Sequence, residues 1–357
     1  MDKRTRLYAQ LLDASKERRE TNIAEHKLRT GRIKRSLGAR RKLRETKKEA
    51  KVPKVPLDFL AIGDSWFEYP LYNEVLSFQN NAIVAKSQLG SKGNPPPQIL
   101  NQALHGQATT AMLSWENQDK MITVLQDPDQ WLNEETHLPD AILVSAGGDD
   151  LVGDQLAIYL DYGGGGLNLK RFQGVLDSVQ ASYFDLFAFR DIFAKGVPII
   201  SHCYDYAIPN DVHPICTPSA WLWPSFNFAG YDYGGGLQIV TSMIDLFHDM
   251  LTGLASDSAN NFSFIDTRNT LTRDATQPNG WANEIHPWYP GFTALANRFL
   301  VGLQAMPAFK NRIKITNWPV ALMLKLWSAH QPPASTPSST STSSEGVWWN
   351  VFRDITE

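Results

Sequence analysis

Ser65 closes the tripeptide GDS directly after the apolar run at 57–62, and His286 lies far downstream in WANEIHPWYPGFTALANRF (281–299). Serine and histidine can act together as nucleophile and base. A serine hydroxyl attacks poorly until a base takes its proton, and imidazole titrates near neutrality and can hand that proton to a leaving alcohol. Neither signal is specific alone. Gly-Asp-Ser after a strand is ordinary turn chemistry, and a lone histidine is more often structural than catalytic. The acids Asp64, Asp149 and Asp150 open another route, a metal-dependent phosphoesterase that uses them with His286. No convergent set of His and Asp ligands at metal spacing accompanies them, so that reading is the weaker.

These residues need a scaffold to bring them together. LDFLAIG (57–63), AILVSAGG (141–148), VPIISHCY (197–204) and FSFID (262–266) read as strands buried on both faces. Between or after them, 169–196, 237–254 and 290–304 have helical periodicity. This alternation predicts a parallel sheet covered by helices on both sides. Chemistry in such sheets sits at the carboxyl ends of the strands. Ser65, the glycine-rich 147–150 segment and the residues after Asp266 all fall there.

The chain of 357 residues is 43% hydrophobic and 11% aromatic, the composition of a globular protein. It has no apolar run of the roughly 18–20 residues that span a bilayer, and its basic N-terminus lacks the apolar core of a secretory signal. A cytoplasmic protein is expected. Cys203 and Cys216 are too few for a disulfide framework. Residues 1–50 carry 17 Lys and Arg against 7 Asp and Glu, whereas the remainder carries 17 basic and 30 acidic groups. The 1–52 segment therefore reads as a basic helical arm on an acidic body, ended by VPKVP (52–56). It suits an acidic protein, another subunit or anionic lipid; without interleaved aromatics, nucleic acid is not expected. DYGGGG (161–166) and YDYGGG (231–236) read as connections or lids that open helices, and lack the Lys-Ser/Thr ending of a phosphate loop. AWLWPSFNFAGY (220–231) suits an apolar wall near the site or core packing. A Ser/Thr/Pro-rich linker (331–346) and an aromatic tail (347–357) follow the main domain at 53–330.

Four blocks in order, GDS (63–65), LHGQATT (104–110), GGDD (147–150) and NEIHP (283–287), resemble the SGNH/GDSL hydrolase family over roughly residues 57–305. The resemblance implies a three-layer α/β/α sandwich about a mainly parallel, flavodoxin-like sheet of about five strands. It implies Ser65 as nucleophile and His286 as general base. Backbone N–H groups of Ser65 and Gly106 would face the oxyanion, with residue 149 as a third donor. No cofactor or metal is implied, and the substrate would be a small-molecule or lipid ester.

Two positions depart from the family pattern. Asp149 stands where the family has Asn, and an ionised carboxylate can neither donate to an oxyanion nor tolerate its charge. Asn283 stands where the family has the acid that orients histidine; its carbonyl can accept from the imidazole but cannot neutralise an imidazolium. Glu284 is offset from that role. The expected function is a serine esterase or lipase-like hydrolase working through an acyl-enzyme. A hydrolase fold that has become a binding module is the alternative from another class.

Overall fold

The apolar run at 57–62 forms most of β1 (Asp58–Gly63), all six residues of which are buried. A strand covered on both faces has no solvated side, so its sequence does not alternate, and its one polar residue, Asp58, is buried with its carboxylate accepting the Leu132 N–H. The structure is a computed structural model that describes residues 56–68, 97–213, 219–275, 277, 280–310 and 312–313, with isolated positions 38, 42 and 45. Apart from those three positions, the basic arm, the linker at 331–346 and the aromatic tail lie outside the described residues, as does most of VPKVP.

β1 pairs in parallel with β2 (Gln98–Asn101) on one side and β3 (Ala141–Ser145) on the other. β4 (Leu160–Asp161) and β5 (Gly166–Leu167) form a separate antiparallel hairpin. β6 (Ile199–His202) joins β3, and β7 (Phe262–Ile265) joins β6, both in parallel. The five-stranded sheet thus runs β2-β1-β3-β6-β7. Four of these strands coincide with the apolar runs. β2 does not, because QILN is four residues long with a polar residue at each end. Pairing with β1, from Asp58 opposite Gln98 to Ala61 opposite Asn101, makes it a strand.

The helices in chain order are α1 (Thr109–Met112), α2 (Trp115–Leu125), α3 (Gly148–Leu151), α4 (Leu169–Phe193), α5 (Trp223–Phe228), α6 (Tyr233–Ser256) and α7 (Tyr289–Ala305). Successive side chains of a strand face opposite sides of the sheet. On β6, Ser201 meets Tyr183 of α4 at 2.9 Å, whereas the His202 ring packs against Phe299 of α7. The long helices α4 and α7 therefore cover opposite faces, which makes the three layers. Among the described residues, no helix is long and apolar enough to cross a membrane.

The two Tyr-Gly loops differ from expectation. DYGGGG is the turn of the β4–β5 hairpin, and only YDYGGG opens a helix, with the Asp232 side chain accepting the Gly235 N–H at 2.7 Å. The Tyr231 hydroxyl ties them together, donating to the Asp161 carbonyl and accepting from the Gly166 N–H. They are braced connections.

The chain leaves β1 for β2 on one side, then passes back to β3 on the other, so its winding reverses at β1. In open α/β sheets the crevice outside the strand ends at such a reversal is where ligands bind. Both GDS and GGDD border it.

Candidate active site

Gly63 ends β1 with φ at +126°, and a Cβ there would lie 1.9 Å from the Ser145 carbonyl oxygen. Only glycine fits. The chain can then turn while the Asp64 N–H reaches the same carbonyl at 2.9 Å. The Asp64 carboxylate accepts the Trp66 N–H at 3.0 Å, closing an Asx turn, and the Phe67 and Glu68 N–H groups donate to the Asp64 carbonyl. Ser65 is held on this first turn beyond the strand.

His286 comes from the loop before α7. The loop is closed by the Trp281–Pro287 bridge and by the Ala282 N–H bond to the His286 carbonyl. The Trp66 indole N–H donates to the Ile285 carbonyl at 3.1 Å, stitching this loop to the Ser65 turn. His286 Nε2 and Ser65 Oγ are 2.7 Å apart. On the other side of the ring, Nδ1 lies 3.2 Å from Asn283 Oδ1, which also accepts the backbone N–H groups of Ile285 and His286. An oxygen that accepts from two peptide N–H groups is assigned unambiguously, so Nδ1 is the protonated ring nitrogen. Nε2 is left to accept the Ser65 proton. Burial, helped by the nearby His105, pushes the His286 pKa down to about 3, so the imidazole is neutral near pH 7. Ser65, His286 and Asn283 are brought together as a relay with the polarity that base catalysis needs.

Glu284 points away from it. Its carboxylate accepts the N–H groups of Asp211, Leu222 and Trp223, which anchors the aromatic segment at 220–231. Trp221 from that segment packs edge-on to His286, with centroids 5.5 Å apart. The segment is therefore a wall of the site.

Asp149 lies in α3 at the end of β3 and lines one cavity with Ser65. Its Oδ2 is enclosed without a hydrogen-bond partner. Burial, with the charges of Asp64 and Asp150 nearby, raises its pKa to about 8, so it is a neutral acid at pH 7. Asp150 is occupied, accepting the Thr109 N–H and hydroxyl at 2.9 Å each. Gly106 sits in the loop after β2 with φ at +70°, next to His105. Among the described residues, the N–H groups of Ser65 and Gly106 donate to no other group.

Another Ser–His–Asp grouping lies beneath the first, and its residue types gave no sign of it in the sequence. Ser145 donates to Asp64 Oδ1 at 2.5 Å, and His202 Nε2 lies 2.9 Å from Ser145 Oγ. The Tyr204 N–H donates to His202 Nδ1 at 3.1 Å, so Nε2 carries the ring proton and gives it to Ser145. Protons here point from histidine to serine to aspartate, the reverse of what activates a nucleophile. Tyr204 donates to the other Asp64 oxygen. Their positions at the ends of β3 and β6 were the available signal. Asp64 and Asp150 are engaged by hydrogen bonds within the fold, and among the described residues no group of three or more His, Cys, Asp or Glu is placed to hold an ion.

Solved structures similar to this chain include proteins described as lipases. A lipase from a goat rumen metagenome matches with a TM-score of 0.41 and 17% identity, over 69% of this chain and 96% of its own. Phospholipase A1 from Streptomyces albidoflavus matches with 0.41 and 13%, over 68% and 99%. A protein described as a GDSL-like lipase from Parabacteroides merdae matches with 0.37 and 13%, over 69% and 94%. No family model and no curated relative matches the sequence.

Proposed function

We propose that this protein is a serine ester hydrolase with Ser65 as nucleophile and His286 as general base. The observation that carries this reading is the 2.7 Å contact between Ser65 Oγ and the unprotonated His286 Nε2. Ser65 Oγ attacks the acyl carbon as its proton passes to Nε2. The tetrahedral intermediate collapses, the C–O bond to the alcohol breaks, and the departing oxygen takes the proton back from Nε2. Water then attacks the acyl-serine with His286 again as base, which releases the carboxylic acid and restores Ser65.

The oxyanion is met by the N–H groups of Ser65 and Gly106 and by the acid proton of Asp149. A neutral carboxylic acid donates as an amide does, and removing one such donor costs about 3–4 kcal/mol in well-studied cases. The Asp149 departure is therefore compatible with catalysis while the acid stays protonated. Asn283 fixes the tautomer of His286 without stabilising its charged form, which predicts a competent but slow enzyme.

The test is labelling with a small fluorophosphonate, followed by peptide mapping. A single adduct on Ser65, with p-nitrophenyl ester turnover that Ser65→Ala abolishes, supports the reading. A folded protein that neither labels nor turns over esters is instead a binding module on a hydrolase fold.

A further inference from the structure

The cavity beside Ser65 is about 50 Å³ and has an apolar lining outside its carboxyl groups. Leu151 and Leu222 flank it, Ile285 borders it near the histidine loop, and Val240, Met243 and Ile244 of α6 also line it. The carboxyl groups at its wall are not free to bind a cation. Asp64 is bonded by Ser145, Tyr204 and Trp66, and Asp205 accepts the N–H groups of Asn269, Thr270 and Leu271. Burial holds Asp149 protonated.

An ester has two halves, and the site treats them differently. The alcohol oxygen must face His286 Nε2 to receive its proton, and the alcohol then departs. The acyl group stays on Ser65 until water releases it, so a small, mostly apolar recess against Ser65 suits that half. A site of this size holds about three to four water-sized groups. We propose that the cavity is the acyl site, and that α6, through Val240, Met243 and Ile244, limits the substrate to esters of short acyl chains, about two to four carbons. The proposal rests on the serine-hydrolase reading. Each methylene beyond the limit must displace packed side chains, whereas each one within it gains only about tenfold or somewhat more.

The experiment compares kcat/KM for p-nitrophenyl acetate, butyrate, octanoate and palmitate in the full chain, Met243→Ala and Ile244→Ala, with fluorophosphonate labelling of each. Wild type is expected to favour butyrate or acetate over octanoate by at least about 100-fold. Met243→Ala should raise the octanoate-to-butyrate ratio about tenfold or more. Ile244→Ala, at a half-buried position that tolerates truncation better, should move it the same way. Labelling of Ser65 with octanoate or palmitate used as well as butyrate overturns the acyl-site assignment alone. So does a ratio unmoved in a variant that melts cooperatively. Absence of both labelling and turnover overturns the hydrolase reading, and this proposal with it.

Discussion

Among the described residues two serine–histidine pairs lie at neighbouring strand ends, and their protons run in opposite directions. Ser65 pairs with His286 and Asn283, whereas Ser145 pairs with His202 and Asp64. By composition the Ser145 grouping is the stronger candidate, since it has a true carboxylate. The direction of its protons decides otherwise. The Tyr204 N–H occupies His202 Nδ1, which forces the proton onto Nε2 and makes His202 a donor to Ser145. Asn283 accepts from His286 Nδ1 instead, which leaves Nε2 without a proton and facing Ser65 Oγ. Ser65 also lines a cavity, while Ser145 is 0% exposed. A backbone amide on one ring nitrogen separates a structural network from a candidate relay.

The sharpest way to break this comparison is to remove each serine. Ser65→Ala should lower kcat for esters by about 10⁴-fold or more with little change in melting temperature, because the side chain contributes chemistry and few contacts. If Ser145→Ala abolishes turnover while Ser65→Ala does not, the two assignments are exchanged.

A smaller effect concerns Asp149. The proposed mechanism requires His286 neutral and Asp149 protonated, so kcat/KM should rise with pH through about 3 and fall through about 8. Asp149→Asn keeps a neutral donor at every pH. It should match wild type near pH 7 and exceed it about tenfold at pH 9, where roughly nine-tenths of an acid of that pKa is ionised. The same residue links to stability. Its folded pKa lies above its unfolded value of 3.8, so ionisation works against folding. The contribution of Asp149 to stability should be lost as pH rises between about 4 and 8, so urea melts should show Asp149→Asn gaining stability relative to wild type across that range. An unchanged alkaline limb in the variant would remove Asp149 from the oxyanion site.

Ser145→Ala leaves the Asp64 carboxylate without one donor and His202 Nε2–H without its acceptor. The expected loss is about 1–3 kcal/mol by chemical denaturation, with ester kcat/KM within about tenfold of wild type. The smallest change is expected from Asn283→Asp. A carboxylate beside Nδ1 stabilises the imidazolium, which should raise kcat several-fold and move the acid limb of the pH profile above about 3. A fall in kcat without loss of folding would show that the Asn283 amide has a role of its own.

Much of this molecule is legible in its residue order. Continuous apolar runs mark four of the five sheet strands; β1, β3 and β6 are buried on both faces as expected, whereas β7, at the sheet edge, has half-buried Ser263 and Phe264. Ser65 and His286 stood out only through the four blocks in order, since neither residue type is specific alone, and the fold brings the two within 2.7 Å. Asn283 stands three residues before His286, so local geometry alone brings its carbonyl to the ring. Tertiary structure decided the rest. β2 is a strand only because β1 offers it a parallel edge. Asp149 is chemically ambiguous as a letter; burial beside Asp64 and Asp150 makes it an acid rather than an anion. The buried Ser145–His202–Asp64 network joins residues from three separate strand ends, and its polarity depends on one peptide N–H. A sequence states which groups are present, but pKa and proton direction belong to the surroundings that folding supplies.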